Sequence, residues 1–161
     1  MKTVLGTLSI VFLLIAVVSS IAIGLTSWHI DQDINGWKSR AQVSSEPHDM
    51  LLYMSNVKAG MEKWGITSGN AALFFPTPET DIAMILRSIQ QHIDQAKILT
   101  AMDRSTPQYQ TGLDNLRGSI RELNVHAFQD WSNHDGLLLT ITVWLGWILF
   151  IVFALWWFAI Y

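Results

Sequence analysis

Hydrophobic and polar positions divide this chain into an apolar run at each end and a polar middle with helical periodicity. No charged residue occurs from residue 3 to 27 or from residue 137 to 161. A helix of roughly 20 residues, at about 1.5 Å per residue, crosses the hydrocarbon core of a bilayer. We therefore predict two transmembrane helices, at residues 1–27 and 137–161.

The N-terminal run could also be a cleaved signal peptide, because Lys2 precedes it and the triplet Ser20-Ile21-Ala22 resembles a small-x-small cleavage site. The run is longer than the apolar core of a usual signal peptide, which favours an uncleaved signal anchor. Between the two runs, residues 28–136 form the polar middle. We expect the protein to act within the bilayer or through this middle segment.

Apolar residues of the polar middle recur at helical spacing. Between Met50 and Trp64 they are spaced 4, 3, 4 and 3 residues apart. This pattern predicts a helix over residues 47–64 that ends at Gly65 and packs on another helix. A weaker pattern predicts a shorter helix before Ser44.

Two more helix starts are marked by a threonine able to cap a helix and by the proline that follows it, at Thr77 and Thr106. The first of these helices is predicted to reach about Met102. The second has no clear stop before Leu137, which predicts one long helix that enters the second span with a kink near Gly136. The predicted fold is an all-α membrane protein in which two transmembrane helices flank an extramembrane bundle of about four helices.

The polar middle is acidic. It contains all 13 acidic residues and nine of the ten basic ones, which gives a formal net charge of −4. This charge argues against nucleic acid or an anionic lipid surface as a partner. The absence of cysteine excludes disulfides, thiolate metal sites and iron–sulfur clusters.

The orientation in the membrane follows from the basic residues around the spans. Counted literally, the positive-inside rule places the polar middle in the cytoplasm, but this segment exceeds the length of about 60 residues for which the rule holds. A short positive segment at Lys2 before an apolar run is typical of a signal anchor. We expect a bacterial inner (cytoplasmic) membrane protein, N-in/C-in, with the polar middle in the periplasm.

Small residues recur every four positions in the first span, at Ala16, Ser20 and Gly24. This spacing places them on one stripe of the helix, where another helix backbone can approach closely. Small residues are also common in any membrane helix, so the pattern could equally arise without a packing role. We take the stripe as a candidate helix-packing surface.

Aromatic residues form two candidate contact surfaces for partner subunits or cofactors. Trp144 and Trp147 lie well inside the second span, where an indole N–H that faces lipid tails lacks an acceptor. They are expected to face protein or a polar group of a pigment or quinone, or else to bond a neighbouring backbone carbonyl beside lipid. Phe74 and Phe75 form the apolar tip of a predicted loop over residues 66–76. This tip could contact a partner subunit, enter the membrane surface or fold back on the bundle.

Polar residues with ligand chemistry gather where both spans are predicted to meet the outer surface. His126, Asp130 and His134 are spaced four apart, and His29 and Asp33 are spaced in the same way. Imidazoles and carboxylates together could bind Zn²⁺ or Cu²⁺ or hold a proton near a quinone. Polar residues also crowd any headgroup region, and we expect no metal here. The spans contain no histidine, which argues against haem or chlorophyll ligated by histidine within the membrane.

Catalytic patterns are missing from the sequence, which has no glycine-rich phosphate loop, no nucleophile elbow and no His-Glu-x-x-His motif. We therefore expect a non-catalytic accessory subunit that stabilises a larger membrane complex, with a photosynthetic or respiratory assembly as the expected host. No cofactor is expected to be ligated by its side chains, although a pigment, quinone or lipid could contact its periphery. Its expected partners are other subunits and the lipid bilayer.

A second hypothesis belongs to a different class of function. The layout of a helical bundle between two spans resembles the input half of bacterial chemoreceptors and sensor kinases, in architecture and without a shared motif. The alternative is therefore an extracytoplasmic ligand-sensing or adaptor module that acts on a separate transducer. It predicts a ligand pocket in the bundle core, for example around His92 and Trp64.

Overall fold

The computed structural model describes residues 2–159, and these residues are helical apart from turns, loops and one isolated β-bridge. A short 3-10 helix at Pro78–Thr80 precedes the fourth α-helix. The α-helices are α1 (Lys2–Asp33), α2 (Asn35–Val43), α3 (Pro47–Lys63), α4 (Ile82–Thr100), α5 (Pro107–Glu122), α6 (Ala127–Asn133) and α7 (Leu137–Ala159).

The chain divides into two compact units. The first, which we call the apolar pair, consists of residues 1–28 and 132–161; the second, the bundle, is His29–Trp131. The apolar pair holds two helices long and apolar enough to cross a membrane. Within an apolar stretch of 18 residues in each helix, only 11% of the residues in the first and 6% in the second are buried. Helices that expose so much apolar surface are not the core of a soluble protein.

The bundle is built by α2 to α5 around one apolar core. Helix α3 packs on α2 and α4, and α5 packs on α4 and α2. The predicted seam of α3 is confirmed, because its apolar residues face this core. Fully buried side chains of the core include Ile30, Ile34, Met50, Met54, Met61, Ile82, Ile89, Leu116 and Ile120.

The predicted bounds of α3 are confirmed, and those of α4 are partly wrong. Helix α3 ends at Lys63, and Gly65 follows it with a φ of 72°, a conformation that glycine adopts without strain. Helix α4 begins later than the predicted start at Thr77, because Thr77 and Thr80 close a separate 3-10 turn. The carboxylate of Asp81 then caps α4 by accepting hydrogen bonds from two backbone N–H groups of its first turn.

The prediction of one long helix from Thr106 into the second span is wrong. The start is confirmed, since the hydroxyl of Thr106 accepts a hydrogen bond from the Tyr109 N–H at 3.3 Å. Helix α5 ends at Glu122, because the backbone at Leu123 turns to an extended conformation (φ −61°, ψ 115°). Burial of Val125 in the core accompanies this change. The chain therefore leaves the helix and still buries an apolar side chain three residues after Glu122.

Candidate functional site

Small residues bring the two helices of the apolar pair into close contact. A Cβ atom added at Gly146 of α7 would lie 3.1 Å from the Cα and Cβ atoms of Ala16. The rings of Phe12 and Phe153 stack with their centroids 5.5 Å apart. These pairings make α1 and α7 antiparallel, and Ala16, the first residue of the stripe, lies against a helix of the same chain.

Ser20, the second residue of the stripe, accepts a hydrogen bond from the indole N–H of Trp147 at 3.2 Å. Its own hydroxyl donates to the carbonyl of Ala16 at 2.7 Å. The third residue, Gly24, has no atom within 4 Å of a Cβ placed on it. The structure therefore places Ala16 and Ser20 against α7 and leaves Gly24 open.

Trp144 differs from Trp147, since 67% of its surface is exposed. It lies seven residues into α7, about 10 Å along the helix from Leu137. Its indole N–H donates no hydrogen bond within residues 2–159. The exposed ring and its N–H therefore form a surface that another group could cover.

The loop between α3 and α4 presents the other predicted aromatic surface. Phe74 and Phe75 are 79% and 84% exposed, and Leu73 beside them is 59% exposed. The base of the loop is closed by backbone hydrogen bonds from Ala71 to Thr80 (2.9 Å) and from Ile82 to Gly69 (3.1 Å). The apolar tip thus projects from a structured base and does not fold back on the bundle.

The three predicted metal-ligand candidates do not share one helix, so the reasoning from their spacing is wrong. His126 precedes α6 and accepts the backbone hydrogen bond from Asp130 at 2.9 Å, whereas His134 follows the end of α6 in a turn. Asp130 is buried in the bundle. Across residues 2–159, no group of three or more histidine, cysteine or acidic side chains is arranged to hold a metal ion.

A polar cluster that the sequence did not predict joins α1 to α3. The carboxylate of Asp33 accepts hydrogen bonds from the Lys63 ammonium at 2.7 Å and from the Trp64 indole N–H at 2.9 Å. The Trp64 ring also meets the Trp131 ring edge-on, with centroids 6.5 Å apart. In the sequence, only Trp64 at the end of the α3 seam pointed to this cluster. Its partners Asp33 and Trp131 are 31 and 67 residues away along the chain, so its spacing could not identify them.

A groove of about 540 Å³ lies between α4 and α5 in the bundle. It combines two carboxylates with apolar and amide side chains, and Trp64 is not among the residues that line it. Lining residues include Glu79, Met84, Ile85, His92, Glu122 and Asn124. A groove of this volume and mixed polarity is large enough for a small organic molecule.

His92 is the buried ionisable residue of this groove, with 9% of its surface exposed. Burial lowers the pKa of its imidazole, and a hydrogen bond to the backbone of Ser119 acts in the opposite direction. The Nδ1 atom has no hydrogen-bond partner within residues 2–159. The neutral imidazole is therefore the form that fits the folded bundle.

This shift predicts a loss of stability in acid. The unfolded imidazole binds its proton near the ordinary pKa of 6.5, above the pKa of the folded form, so protons favour unfolding as the pH falls through this range. The melting temperature should be lower at about pH 5 than at about pH 7.5. The variant His92→Gln should flatten this dependence, whereas His48→Gln, at an exposed helical position, should leave it unchanged. Equal pH dependence in His92→Gln and wild type would contradict the assignment.

These features define a class: an all-helical protein with two helices long and apolar enough to span a membrane and a helical bundle between them. In comparison with known proteins, no family model, no curated protein and no solved structure matches the chain. The functional conclusion therefore rests on its own residues.

Proposed function

We propose that this protein is a non-catalytic accessory subunit of a larger membrane complex, held in a bacterial inner membrane by α1 and α7 with the bundle in the periplasm. The proposed host is an energy-transducing assembly, photosynthetic or respiratory. The protein itself ligates no cofactor and contacts pigment, quinone or lipid at its periphery.

Trp144 carries this proposal. The helix contact that α7 makes through Gly146 and Trp147 leaves this indole uncovered. In the proposed membrane position no water reaches its depth. Either a helix of another subunit or the polar edge of a cofactor would cover the ring. Either one would also supply an acceptor for the indole N–H. Large aromatic residues of this kind often dominate the energy of an interface.

Purification from native membranes in mild detergent tests the proposal. The wild-type protein should migrate with a larger assembly on a native gel, and mass spectrometry and an absorption spectrum of the band should identify the host. Trp144→Ala should weaken this association about tenfold or more. Trp156→Ala, also an exposed tryptophan of α7, is the matched control and should not. Migration of the wild-type protein alone would refute the proposal.

The groove at His92 favours a second candidate function, a ligand-sensing module that acts on a separate transducer. Glu79 and Glu122 make the groove acidic, and among the residues that line it there is no lysine or arginine. The groove therefore suits a cationic or neutral small molecule with N–H or O–H donors and an apolar part.

A thermal-stability screen against small metabolites tests this second function. A ligand that binds only the folded protein raises its free energy of unfolding, by about 2.7 kcal/mol at a ligand concentration of a hundred times Kd. The melting temperature rises as a result. We expect amines among the hits and loss of the effect in Glu122→Gln. A screen without any hit, together with co-migration in a large complex, would leave only the accessory function.

A further inference from the structure

The loop between α3 and α4 emerges at one particular end of the bundle. Its first residue follows Trp64, which bonds to Asp33 at 2.9 Å and meets the ring of Trp131. These two partners lie close to the first and last residues of the bundle, where the chain continues into the apolar pair. The loop therefore leaves the bundle at the end that carries its first and last residues, His29 and Trp131.

Two other connections between the bundle helices lie at the opposite end. The α2–α3 turn and the α4–α5 turn are joined there by an ion pair between Arg104 and Glu46, with 2.8 Å between the nitrogen and the oxygen. This ion pair places both turns at the end of the bundle opposite to Trp64 and to the α3–α4 loop.

The tip of the α3–α4 loop has the composition of a surface that leaves water. Residues 65–78 carry no charge, and Leu73, Phe74 and Phe75 at the tip are all exposed. The base is held by the hydrogen bonds at residues 69–71 and 80–82 and by the burial of Ile66. The tip therefore extends from a hydrogen-bonded base and lies outside the core.

We propose that this apolar tip inserts into the interfacial region of the bilayer, as a third membrane attachment beside α1 and α7. The inference rests on the proposed insertion of these two helices, because only then does a bilayer lie at this end of the bundle. Lipid is the partner favoured by the chemistry, since the tip offers apolar side chains without charge. An acidic bundle can approach a bilayer in this way because the contact uses apolar surface and not charge attraction.

The natural absence of cysteine allows single labelled sites to test the proposal. Phe75→Cys and Val43→Cys would each carry an environment-sensitive fluorophore in the full-length protein, reconstituted in phosphatidylcholine vesicles. Val43 is the matched control because it is 83% exposed, against 84% for Phe75, and it ends α2 at the opposite end of the bundle.

In vesicles the label at residue 75 should emit at shorter wavelength than the label at residue 43, and a lipid-attached nitroxide should quench it while aqueous iodide should not. The label at residue 43 should be quenched by iodide and not by the nitroxide. Quenching of residue 75 by iodide would overturn the proposal, as would protection from both quenchers, which would indicate contact with a second copy of the protein.

Flotation of the same vesicles separates this proposal from the membrane insertion on which it rests. If the protein floats with the vesicles and resists alkaline extraction while iodide quenches the label at residue 75, the loop proposal fails and the two spans stand. If the protein does not float, the insertion of α1 and α7 fails, and the loop proposal fails with it.

Discussion

Gly60→Ala is expected to destabilise the bundle by about 3 kcal/mol or more, a large part of the total stability of a small domain. A Cβ atom at this position would overlap the carbonyl oxygen of Asp33 and lie 3.0 Å from the Asp33 carbonyl carbon and the Cγ1 atom of Ile34. Because the main obstacle is backbone, no rotamer change can relieve it. The helices must move apart, and the hydrogen bonds from Lys63 and Trp64 to Asp33 would then be strained.

Gly118→Ala in α5 is the matched control for this substitution. Nothing lies within 4 Å of a Cβ atom at Gly118, so alanine should raise stability by up to about 1 kcal/mol through its better helix propensity. Chemical unfolding in mild detergent, followed by far-ultraviolet circular dichroism, measures both variants. If the two alanine variants unfold at the same denaturant concentration, the close approach of α1 and α3 at Gly60 is wrong.

Gly146→Ile is expected to separate the two helices of the apolar pair. Any Cβ atom there would lie 3.1 Å from the Cα of Ala16 and 3.2 Å from its nitrogen, and a β-branched side chain adds further atoms in the same space. The overpacking should cost about 1–3 kcal/mol. The Trp147–Ser20 hydrogen bond depends on the same approach of the helices and should be lost as well.

Oxidative cross-linking of a Phe12→Cys/Phe153→Cys pair reports this separation, since the two rings stack in the wild-type protein. Cross-linking in vesicles should become about tenfold slower in the Gly146→Ile background, as a change of about 1.4 kcal/mol implies. Gly24→Ile adds the same side chain where nothing lies within 4 Å and should leave the rate unchanged. Equal rates in the two backgrounds would argue against the packing of Gly146 on Ala16.

The helices that local signals define were predictable, and the break after α5 shows where such signals fail. Periodicity predicted α3 to within one residue, and a threonine followed by proline marked the start of α5. Leu123 continues the apolar spacing of α5, yet the helix ends before it. Spacing alone does not distinguish a residue buried on a helix from one buried on extended backbone, so the stop was invisible in the sequence.

The candidate surfaces were predictable to different degrees for the same reason. The sequence placed Phe74 and Phe75 at the tip of a loop, which is a local property, but it left open whether they fold back on the bundle, and only the structure shows them exposed. The pairing of Trp147 with Ser20 joins residues 127 positions apart, so the sequence indicated only that the indole needed an acceptor. His126, Asp130 and His134 had suitable spacing for one helix, but the helix they required is interrupted.

By itself the sequence determined two apolar helices, the helical class of the segment between them, and the starts of α3 and α5, because length, composition and capping act over a few neighbouring residues. The tertiary structure decided which glycines admit a neighbouring backbone, which end of the bundle carries the apolar loop, and which histidine is buried beside a groove. Each of these depends on contacts between distant segments. Such contacts form only when the helices pack, and similar periodic patterns are compatible with many ways of packing.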